Sequence, residues 1–310
     1  MSITVNINGT FFPPEKSQIS IFDHGFLFGD SVYEVVRTFG GVPFAVQPHF
    51  LRLLQSARRI GLQLPDSATH LGREVLRTIR RSELPECMVR IVITRGAGAP
   101  RIDPSTCSSP NSILILQPIP NPSDSEDQKS PDLVIVDIER NSRRSTDPRI
   151  KSGNYLNNVL ALMEANQRGA CEGIMKNAQG HLTEGTTSNI FFICDGTLHT
   201  PALSCGILSG ITRDLVLNLA RTLSIPIKEG NFTPDQLESA QEVFITSTTR
   251  DILPIRTLQG APYPEPFPGP VTQRLLEQFQ IVVQSFRSEY PDLDHFESRL
   301  NTLLKKEDLW

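Results

Sequence analysis

Strand-like and helix-like segments alternate along this chain, and the alternation limits the folds that it can adopt. In "HFLRLLQSARRIGL" the apolar residues recur at helical spacing and a glycine follows, which predicts an amphipathic helix. "SITVNING" alternates in polarity and ends in Asn-Gly, a hairpin signal, while "CMVRIVITRG" and "NSILILQPI" read as strands. This order of elements predicts an α/β (α+β) fold with two domains.

The clearest linker is "IPNPSDSEDQKSP", which is rich in proline, serine and acidic residues and contains almost nothing apolar. The segment "DLVIVDI" begins a new strand directly after it. We therefore expect a small N-terminal domain at residues 1–118, an interdomain linker at 119–131 and a larger domain at 132–280. Residues 281–310 have helical spacing and are expected to form a C-terminal helical extension.

Composition narrows the classes of partner. The 310 residues carry a formal net charge of -4 and no basic block, which argues against a nucleic-acid partner. The five cysteines are scattered and the six histidines lack the spacing of metal ligands, so neither a disulfide framework nor a metal site is expected. No apolar run could span a membrane, and the first residues are too polar for a signal peptide. The chain is therefore expected to be cytoplasmic, with no membrane partner.

Two polar segments could bind a phosphate group. "SGITRD" places a glycine before a helix predicted to start at Ile211, so the first N–H groups and the Thr212 hydroxyl could hold an anion. An ordinary helix cap is the simpler alternative. Ser247, Thr248 and Thr249 follow an apolar run, and their hydroxyl groups could hold phosphate oxygens or simply form a turn.

Three charged residues could be ordinary solvent-exposed side chains or could bind a ligand. Arg52 lies at the apolar spacing of its helix, so its guanidinium either extends to water or binds an anion. Glu184 is either a solvated turn residue or a partner that keeps a heterocyclic nitrogen protonated. Lys151 is either an exposed lysine before a helix or an amine that forms a Schiff base. Phosphate, ring nitrogen and aldehyde together are the functional groups of pyridoxal 5'-phosphate (PLP).

These segments resemble the class IV (fold type IV) PLP-dependent aminotransferases. The resemblance spans residues 1–280 and is carried, in family order, by "HGFLFGDSVYEVVRTF", "HFLRLLQSA", "KSGNYLNN", "TEGTTSNIF", "GITRD" and "EVFITSTTRDILP". The family includes branched-chain and D-amino-acid aminotransferases, R-selective amine transaminases and aminodeoxychorismate lyases. The resemblance implies a small α/β domain, a larger PLP-binding domain with a barrel-like sheet, and a homodimer with shared active sites.

The resemblance also implies a role for each residue. Lys151 would form the Schiff base and then serve as base and acid in the proton shift, Glu184 would pair with the pyridine nitrogen, and Tyr155 would lie near the ring. The implied phosphate ligands are Arg52, Ile211, Thr212, Ser247 and Thr248. The implied reaction is a ping-pong transfer of an amino group from an amino acid to a 2-oxo acid such as 2-oxoglutarate.

The substrate is less clearly specified by the same comparison. The implied substrate-binding residues are Tyr33, Arg37, Arg95, Arg101 and Thr249. Any of the three arginines is a candidate to bind the substrate carboxylate. "KSGNYL" is similar to the branched-chain enzymes, so branched-chain L-amino acids are the favoured substrates. Tyr33 and the arginine after "TRG" are similar to the D-amino-acid enzymes, although Asp103 stands where those enzymes have a histidine.

Three alternatives to branched-chain transamination remain open at this point. One is transamination of D-amino acids. Another is a lyase reaction of the aminodeoxychorismate type, in which the same lysine would promote elimination. The last is a non-catalytic relative, against which the complete set of Lys151, Glu184, Arg52 and Thr212 speaks.

Overall fold

The computed structural model describes residues 3–119 and 131–304, which form two compact units. The first unit contains residues 3–119, 150–154 and 283–304, and the second contains residues 131–149 and 155–282. The segment around Lys151 and the C-terminal residues thus group with the N-terminal part of the chain. The linker expected at 119–131 lies, apart from its two end residues, outside the described residues.

Helices and strands alternate as the sequence predicts. The α-helices of the described residues are α1 (His24–Phe28), α2 (Val46–Arg59), α3 (Ala68–Ser82), α4 (Leu156–Gln167), α5 (Ile211–Thr222), α6 (Pro234–Glu238), α7 (Pro270–Glu289) and α8 (Leu293–Leu303). Their strands are β1 (Thr4–Ile7), β2 (Thr10–Phe12), β3 (Ser31–Phe39), β4 (Val42–Pro43), β5 (Cys87–Thr94), β6 (Asn111–Pro118), β7 (Asp132–Glu139), β8 (Glu172–Lys176), β9 (Leu182–Gly185), β10 (Asn189–Cys194), β11 (Thr197–Pro201), β12 (Ile227–Gly230), β13 (Glu242–Ser247), β14 (Asp251–Ile255), β15 (Thr257–Leu258) and β16 (Ala261–Pro262).

The first unit contains a six-stranded sheet in the order β2-β1-β6-β5-β3-β4, in which neighbouring strands are antiparallel. β1 and β2 form the predicted hairpin. Its two turn residues, Asn8 and Gly9, have φ angles of 51° and 82°, the left-handed conformation that a two-residue turn requires and that Asn and Gly tolerate best.

One face of β3 forms part of the core of the first unit. Alternate residues of a strand point to the same face, and Val32 and Val36 are fully buried there against Phe50 and Leu53 of α2. Leu300 of α8 joins the same core. The C-terminal helix therefore contributes to the apolar core of the first unit.

A buried ion pair cross-links α2 to β3. Glu34 lies on the same strand face as Val32 and is fully buried. Its Oε1 accepts a hydrogen bond from Nε of Arg52 at 2.6 Å, and its Oε2 accepts one from Nη2 of Arg52 at 2.8 Å. The Nδ1 atom of His49 lies 2.8 Å from Oε2. His49 and Arg52 are three positions apart, so both reach the same strand from one side of the helix.

Burial and ion pairing set the charges in this cluster. Burial alone would raise the pKa of Glu34, but the Arg52 guanidinium and the hydrogen bonds from Arg52 and His49 outweigh it and hold that pKa well below its usual value. Burial lowers the pKa of His49, and its hydrogen bond with Glu34 opposes this shift only in part. Glu34 is therefore ionised at neutral pH, and His49 is a neutral ring whose Nδ1–H donates to it.

The second unit is built on two five-stranded sheets, with strand orders β12-β11-β10-β13-β14 and β16-β15-β7-β8-β9. One apolar core joins them, since it includes Ile174 from one sheet and Ile190 and Ile245 from the other. Helix α4 packs on β7 and β8 through Ala161 and Ala165. Together with the first unit this is the mixed α/β architecture expected from the sequence.

Acid should weaken the first unit through His49 before it does so through Glu34. Both groups have a folded pKa below the unfolded one, so each loses its stabilising contribution as the pH falls. Below pH 6.5, the usual pKa of histidine, the unfolded chain binds a proton that folded His49 does not. The free energy of unfolding then falls by up to about 1.4 kcal/mol per pH unit. Glu34 adds a second loss below its usual pKa of 4.5.

A His49→Gln variant measures the first of these losses, because its amide can still donate to Glu34 but does not titrate. Between about pH 7 and about pH 5 it should lose less stability than the unchanged protein. The readout is urea unfolding followed by hydrogen exchange within α2, because two units need not unfold together. His70→Gln, at an exposed position of α3, is the control. Parallel pH curves for all three proteins would contradict the prediction.

Candidate functional site

The main chain of Lys151 is fixed on two sides within the first unit. Ser152 forms an antiparallel bridge with Val32 of β3, and the Tyr33 N–H donates to the Lys151 carbonyl oxygen at 2.9 Å. The Lys151 N–H donates to Oγ of Ser56, on α2, at 3.1 Å. Lys151 thus lies on a short extended segment beside the sheet, and the helix that follows it begins only at residue 156.

The side chain of Lys151 lies over an aromatic ring. Its Nζ atom is 4.5 Å from the ring centroid of Tyr33, and Cζ of Arg90 is 4.8 Å from the same centroid. The negative face of an aromatic ring attracts cations, so Tyr33 helps to direct the Lys151 amine. The structure therefore brings Lys151 together with Tyr33, one of the predicted substrate residues. Arg90, which the sequence did not single out, joins them.

The structure gives the three candidate carboxylate-binding arginines different surroundings. Arg37 lies on the same face of β3 as Tyr33 and is largely buried. Its Nη2 is 3.9 Å from Oε2 of Glu86, and its Cζ is 3.9 Å from the ring centroid of Phe39. Arg95 forms a two-point ion pair with Asp30, and its Nη2 and Nη1 atoms donate to the main-chain oxygens of Ile60 and Gly61 after α2.

Arg101 differs from both, because its side chain is 67% exposed. It lies in a loop before the single-turn helix Pro104–Thr106, and its Nη2 is 3.5 Å from Asp103. The structure therefore does not bring Arg95 or Arg101 into the group formed by Lys151 and Tyr33.

Glu184 is buried on β9 of the second unit and is held by donors on both carboxylate oxygens. Its Oε1 accepts hydrogen bonds from Nε and Nη2 of Arg140, each at 2.9 Å. Its Oε2 accepts one from the Leu208 N–H at 2.9 Å and a longer one from Nδ2 of Asn189 at 3.4 Å. Glu184 is thus a buried charged group whose position is fixed by a cation and a main-chain amide.

Helix α5 begins at Ile211, as predicted, with Gly210 as its N-cap. No side chain of a described residue caps this first turn, so its first amide groups lack the partner that a capping side chain supplies. A Cβ atom on Gly210 would lie 1.9 Å from Oδ1 of Asn189, so only glycine fits there. Asn189 also contacts Glu184, and the structure therefore brings Glu184 and the start of α5 together.

Residues with hydroxyl groups lie at the end of β13 and in the turn that follows it. Ser247 is the last residue of β13, and its Oγ accepts the Arg250 N–H at 3.2 Å across a turn that contains Thr248 and Thr249. On the same strand, Thr246 pairs in register with Asn189, and its buried Oγ1 has no hydrogen-bond partner among the described residues.

Tyr155 occupies the N-cap position of α4 and belongs to the second unit, whereas Lys151 belongs to the first. Its backbone φ is -102°, and its carbonyl oxygen accepts the Val159 N–H at 2.9 Å, which opens the hydrogen-bond pattern of the helix. The main chain of Tyr155 is therefore set by the helix that it starts.

These residues fit the functional groups of PLP. The start of α5, the unpartnered Thr246 hydroxyl and the tight approach at Gly210 suit a phosphate group. The buried Glu184–Arg140 pair offers a carboxylate to a protonated ring nitrogen. The first unit offers the primary amine of Lys151 on a fixed main chain, which suits an aldehyde.

Sequence reasoning missed several polar residues around these groups: the buried residues His49, Arg140, Asn158 and Glu172, the partly buried Arg250 and the exposed Arg90. Of the acids, Glu34 left a signal, because it lies within the largely apolar stretch Val32–Val36, whereas Glu172 stands at the start of its strand and left none. The arginines left little, since each meets its acid only through the fold.

The described residues 3–119 and 131–304 add two general findings. No helix within them is long and apolar enough to cross a membrane. No group of three or more His, Cys, Asp or Glu side chains within them could hold a metal ion. All five cysteines are free thiols, so covalent cross-links do not shape the site.

The chain matches a family model described as amino-transferase class IV over residues 31–258. It is 36% identical over 276 residues to a Methanocaldococcus jannaschii protein provisionally named a branched-chain-amino-acid aminotransferase, and the match covers 89% of this chain and 95% of the relative. It is 32% identical over 286 residues to the D-alanine aminotransferase of Staphylococcus aureus (strain MSSA476), with 90% and 97% covered.

Solved structures agree with this assignment. The branched-chain aminotransferase of Thermoproteus uzoniensis with norvaline has a TM-score of 0.83 at 29% identity, covering 93% of this chain and 96% of that one. The T.th. branched-chain amino acid aminotransferase with pyridoxamine 5'-phosphate has a TM-score of 0.85 at 28% identity, with the same shares covered. These likenesses confirm the predicted fold type IV architecture. The family match includes Lys151, Glu184 and the start of α5, and the chain therefore belongs to the class IV aminotransferases.

Proposed function

We propose that this aminotransferase uses PLP to move the amino group of a branched-chain L-amino acid to a 2-oxo acid such as 2-oxoglutarate, in a ping-pong reaction. The observation that carries the proposal is the placement of Lys151. Its main chain is bound to β3 and to Ser56, and its amine lies over the Tyr33 ring. A relative named for branched-chain amino acids, and a solved relative that contains pyridoxamine 5'-phosphate, support the cofactor and the substrate class.

Lys151 performs the proton transfers in this proposal. Bound PLP supplies an aldehyde for the amino group and a ring that delocalises the negative charge formed at the substrate α-carbon. Lys151 would hold the aldehyde, and its released amine would move a proton between the substrate α-carbon and the former aldehyde carbon, which lies on the other side of the transferred nitrogen. Its fixed main chain confines the amine to a small region, while rotation of the long side chain lets it serve both carbons.

Glu184 holds the proton on the ring nitrogen. The two hydrogen bonds from Arg140 and the one from the Leu208 N–H orient its carboxylate before the cofactor binds. A negative charge fixed beside the nitrogen stabilises the protonated form. Because the surrounding donors are already in place, this stabilisation requires no rearrangement during the reaction.

The phosphate is held at the start of α5. The N–H groups of Ile211 and Thr212 and the Thr212 hydroxyl, at the first turn of the helix, would donate to it, and the helix dipole would favour its negative charge. The proposed further ligands are Arg52, Ser247 and Thr248, with Tyr155 near the ring.

Arg37 is the arginine best suited to bind the substrate carboxylate. It shares a strand face with Tyr33 and is largely buried, so its charge acts in a poorly solvated environment. Asp30 and two carbonyl oxygens already bind Arg95, and Arg101 is exposed beside Asp103. We therefore assign the carboxylate to Arg37 and Tyr33, with Thr249 as a further proposed substrate contact.

Transamination of D-alanine is the second candidate, since the D-alanine aminotransferase of Staphylococcus aureus is 32% identical. The position of Arg101 counts against it. The D-type interpretation of the sequence assigns the substrate carboxylate to Arg101, but its Nη2 lies 3.5 Å from Asp103, an acid that stands where the D-amino-acid enzymes have a histidine.

We also propose that the protein is a homodimer with shared active sites. Helix α4 buries Ala161 and Ala165 on one side, yet its other side exposes apolar residues at helical spacing: Leu156, Val159, Leu160 and Met163. The loop and helix around residues 19–28 expose Ile21, Phe22 and Phe26. An exposed apolar face such as that of α4 is unusual in a monomer, and a two-fold axis would cover the same patch on both copies.

The role of Lys151 is tested by Lys151→Ala, which should lower kcat by at least about 100- to 10,000-fold because it removes the general base and acid. Lys228→Ala, at an exposed position of β12, should retain full activity. Borohydride reduction of the unchanged enzyme, followed by peptide mapping, should find the cofactor mass on the peptide that contains Lys151. Full turnover by Lys151→Ala, or a label on another lysine, would show that Lys151 does not have this role.

The substrate is tested with 2-oxoglutarate and a panel of L- and D-amino acids, with the glutamate formed separated by chirality. L-Leucine, L-isoleucine and L-valine should each give L-glutamate if the proposed L-selective reaction, with the carboxylate assigned to Arg37, is correct. D-Glutamate from D-alanine would establish the second candidate instead. If no donor gives glutamate and aminodeoxychorismate releases pyruvate, the reaction is a lyase reaction.

The dimer is tested by light scattering after size exclusion. The unchanged chain of 34.5 kDa should run as a dimer, and Leu160→Glu should run as a monomer because the axis places its charge in the apolar patch twice. Asn218→Glu adds the same charge to an exposed position of α5 and should leave the dimer intact. A dimeric Leu160→Glu variant would show that another surface forms the interface.

A further inference from the structure

Glu172 is a buried carboxylate that the proposed mechanism does not use. It is the first residue of β8 and is fully buried. Its Oε1 accepts hydrogen bonds from the N–H of Thr186, at 2.7 Å, and from the Thr186 hydroxyl. Its Oε2 accepts hydrogen bonds from the hydroxyls of Thr187 at 3.2 Å and Ser188 at 3.1 Å, and from Nη1 of Arg250 at 2.7 Å. Five donors from two separate segments thus meet one carboxylate.

The first of these segments is the loop that follows Glu184. It joins β9 to β10 and wraps closely around the carboxylate, because a Cβ atom on Gly185 would lie 2.3 Å from Oγ of Ser188 and 3.1 Å from Cδ of Glu172. From this loop, the carbonyl oxygen of Thr186 accepts Nδ2 of Asn158 at 2.7 Å. The loop therefore has no room to shift without losing hydrogen bonds to Glu172.

The same path continues to Glu184 itself. Oδ1 of Asn158 accepts a hydrogen bond from Nη1 of Arg140 at 3.3 Å, and Arg140 is the ion-pair partner of Glu184. A continuous set of buried hydrogen bonds thus links Glu172 to the acid assigned to the ring nitrogen.

The second segment is the turn after β13. Arg250 donates from its side chain to Glu172 and from its main-chain N–H to Oγ of Ser247. Ser247 and the two following threonines are the hydroxyl residues assigned to phosphate and substrate. Glu172 therefore connects the segment that carries the ring-nitrogen acid with the segment that carries phosphate ligands.

We propose that Glu172 is a positioning residue for the cofactor, which holds the Glu184 loop and the Ser247 turn at the separation that PLP requires. This inference rests on the proposed function, because it needs PLP as the ligand of those two segments. A buried charge with one cation and four further donors is well compensated, so the arrangement is stable before the cofactor binds. The cofactor then meets a ring-nitrogen acid and phosphate ligands that are already in place.

Only a carboxylate can serve at this position. In Glu172→Gln one oxygen becomes an NH2 group, and in either orientation that group faces a donor that cannot accept. At one position it meets the Thr186 N–H, and at the other it meets the Arg250 guanidinium. The substitution preserves the volume of the side chain and removes the charge. It therefore weakens every donor contact and breaks the one that faces the NH2 group, without opening a cavity.

The inference is tested by measuring how tightly PLP is held. Holoenzyme is diluted, the released cofactor is separated by ultrafiltration, and the Kd is obtained from the visible absorbance that remains. Glu172→Gln should raise the Kd by on the order of 10- to 100-fold, the range expected when a buried charged hydrogen-bonding group loses its partners. Hydrogen exchange should become faster in residues 184–189 and 247–250.

Glu164→Gln is the matched control. Glu164 also accepts main-chain N–H groups, from Asp137 and Ile138, and also pairs with an arginine, Arg168, within the second unit. It does not belong to the path between Glu184 and Ser247, so its substitution should leave the Kd within about twofold of the unchanged protein. An equal Kd for the Glu172 and Glu164 variants would overturn the inference.

Arg250→Gln tests the same inference without altering the carboxylate, and it decides the matter if Glu172→Gln does not fold. It should raise the Kd and speed exchange in residues 247–250, while residues 184–189 remain protected by the other donors to Glu172. An unchanged Kd in this variant would refute the positioning role. If the unchanged protein itself holds no PLP, the proposed function fails and this inference with it, an outcome distinct from equal binding by all variants.

Discussion

A carboxylate removed from water is stable only where a cation and several hydrogen-bond donors meet it. Glu34, Glu172 and Glu184 are all buried, and their partners are Arg52, Arg250 and Arg140 in that order. Each arginine comes from a different segment of the chain than its acid, so each pair determines which two segments lie side by side. The segments that carry the proposed chemistry are among those fixed in this way.

The donors around these acids differ in kind, and the difference affects what each acid can do. Glu34 is met by two side chains of one helix, so it fixes a helix to a strand. Glu184 is met by an arginine and a main-chain amide, an arrangement that orients a carboxylate for a ligand. Glu172 is met by two loops. The same physical requirement, compensation of a buried charge, thus supports packing in one place and ligand geometry in the others.

Local patterns in the sequence predicted the local structure. The Asn8–Gly9 hairpin, the start of α5 at Ile211 and the strand that ends at Ser247 all follow from residues close together in the chain. The sequence did not reveal contacts between distant residues, since helical spacing alone cannot show that Arg52 meets an acid on β3. The sequence also predicted that Lys151 stands directly before a helix. In the structure it lies on an extended segment that pairs with β3, and the helix begins five residues later, at Leu156.

The predicted substrate residues show the same difference between local patterns, which a sequence reveals, and contacts between distant residues, which it does not. Four arginine or tyrosine side chains were predicted as a group from motif similarity, but a sequence does not distinguish the arginine that binds Asp30 from the one that lies on the face of Tyr33. Only the pairing of strands shows that Tyr33 and Arg37 share a face. The residues around Glu172 are harder still, because their shared role depends on a carboxylate that gathers two loops.

The division of the chain between the two units has a consequence for protein synthesis. The core of the first unit needs Phe296, Leu300 and Leu304, near the C-terminal end of the described residues, together with residues from the first hundred positions. The sheets of the second unit are complete once residue 262 has been made. A domain whose residues emerge from the ribosome first usually folds first. Here the sheet of the N-terminal unit is complete at residue 118, but its core lacks these three side chains until translation has passed through the whole of the second unit.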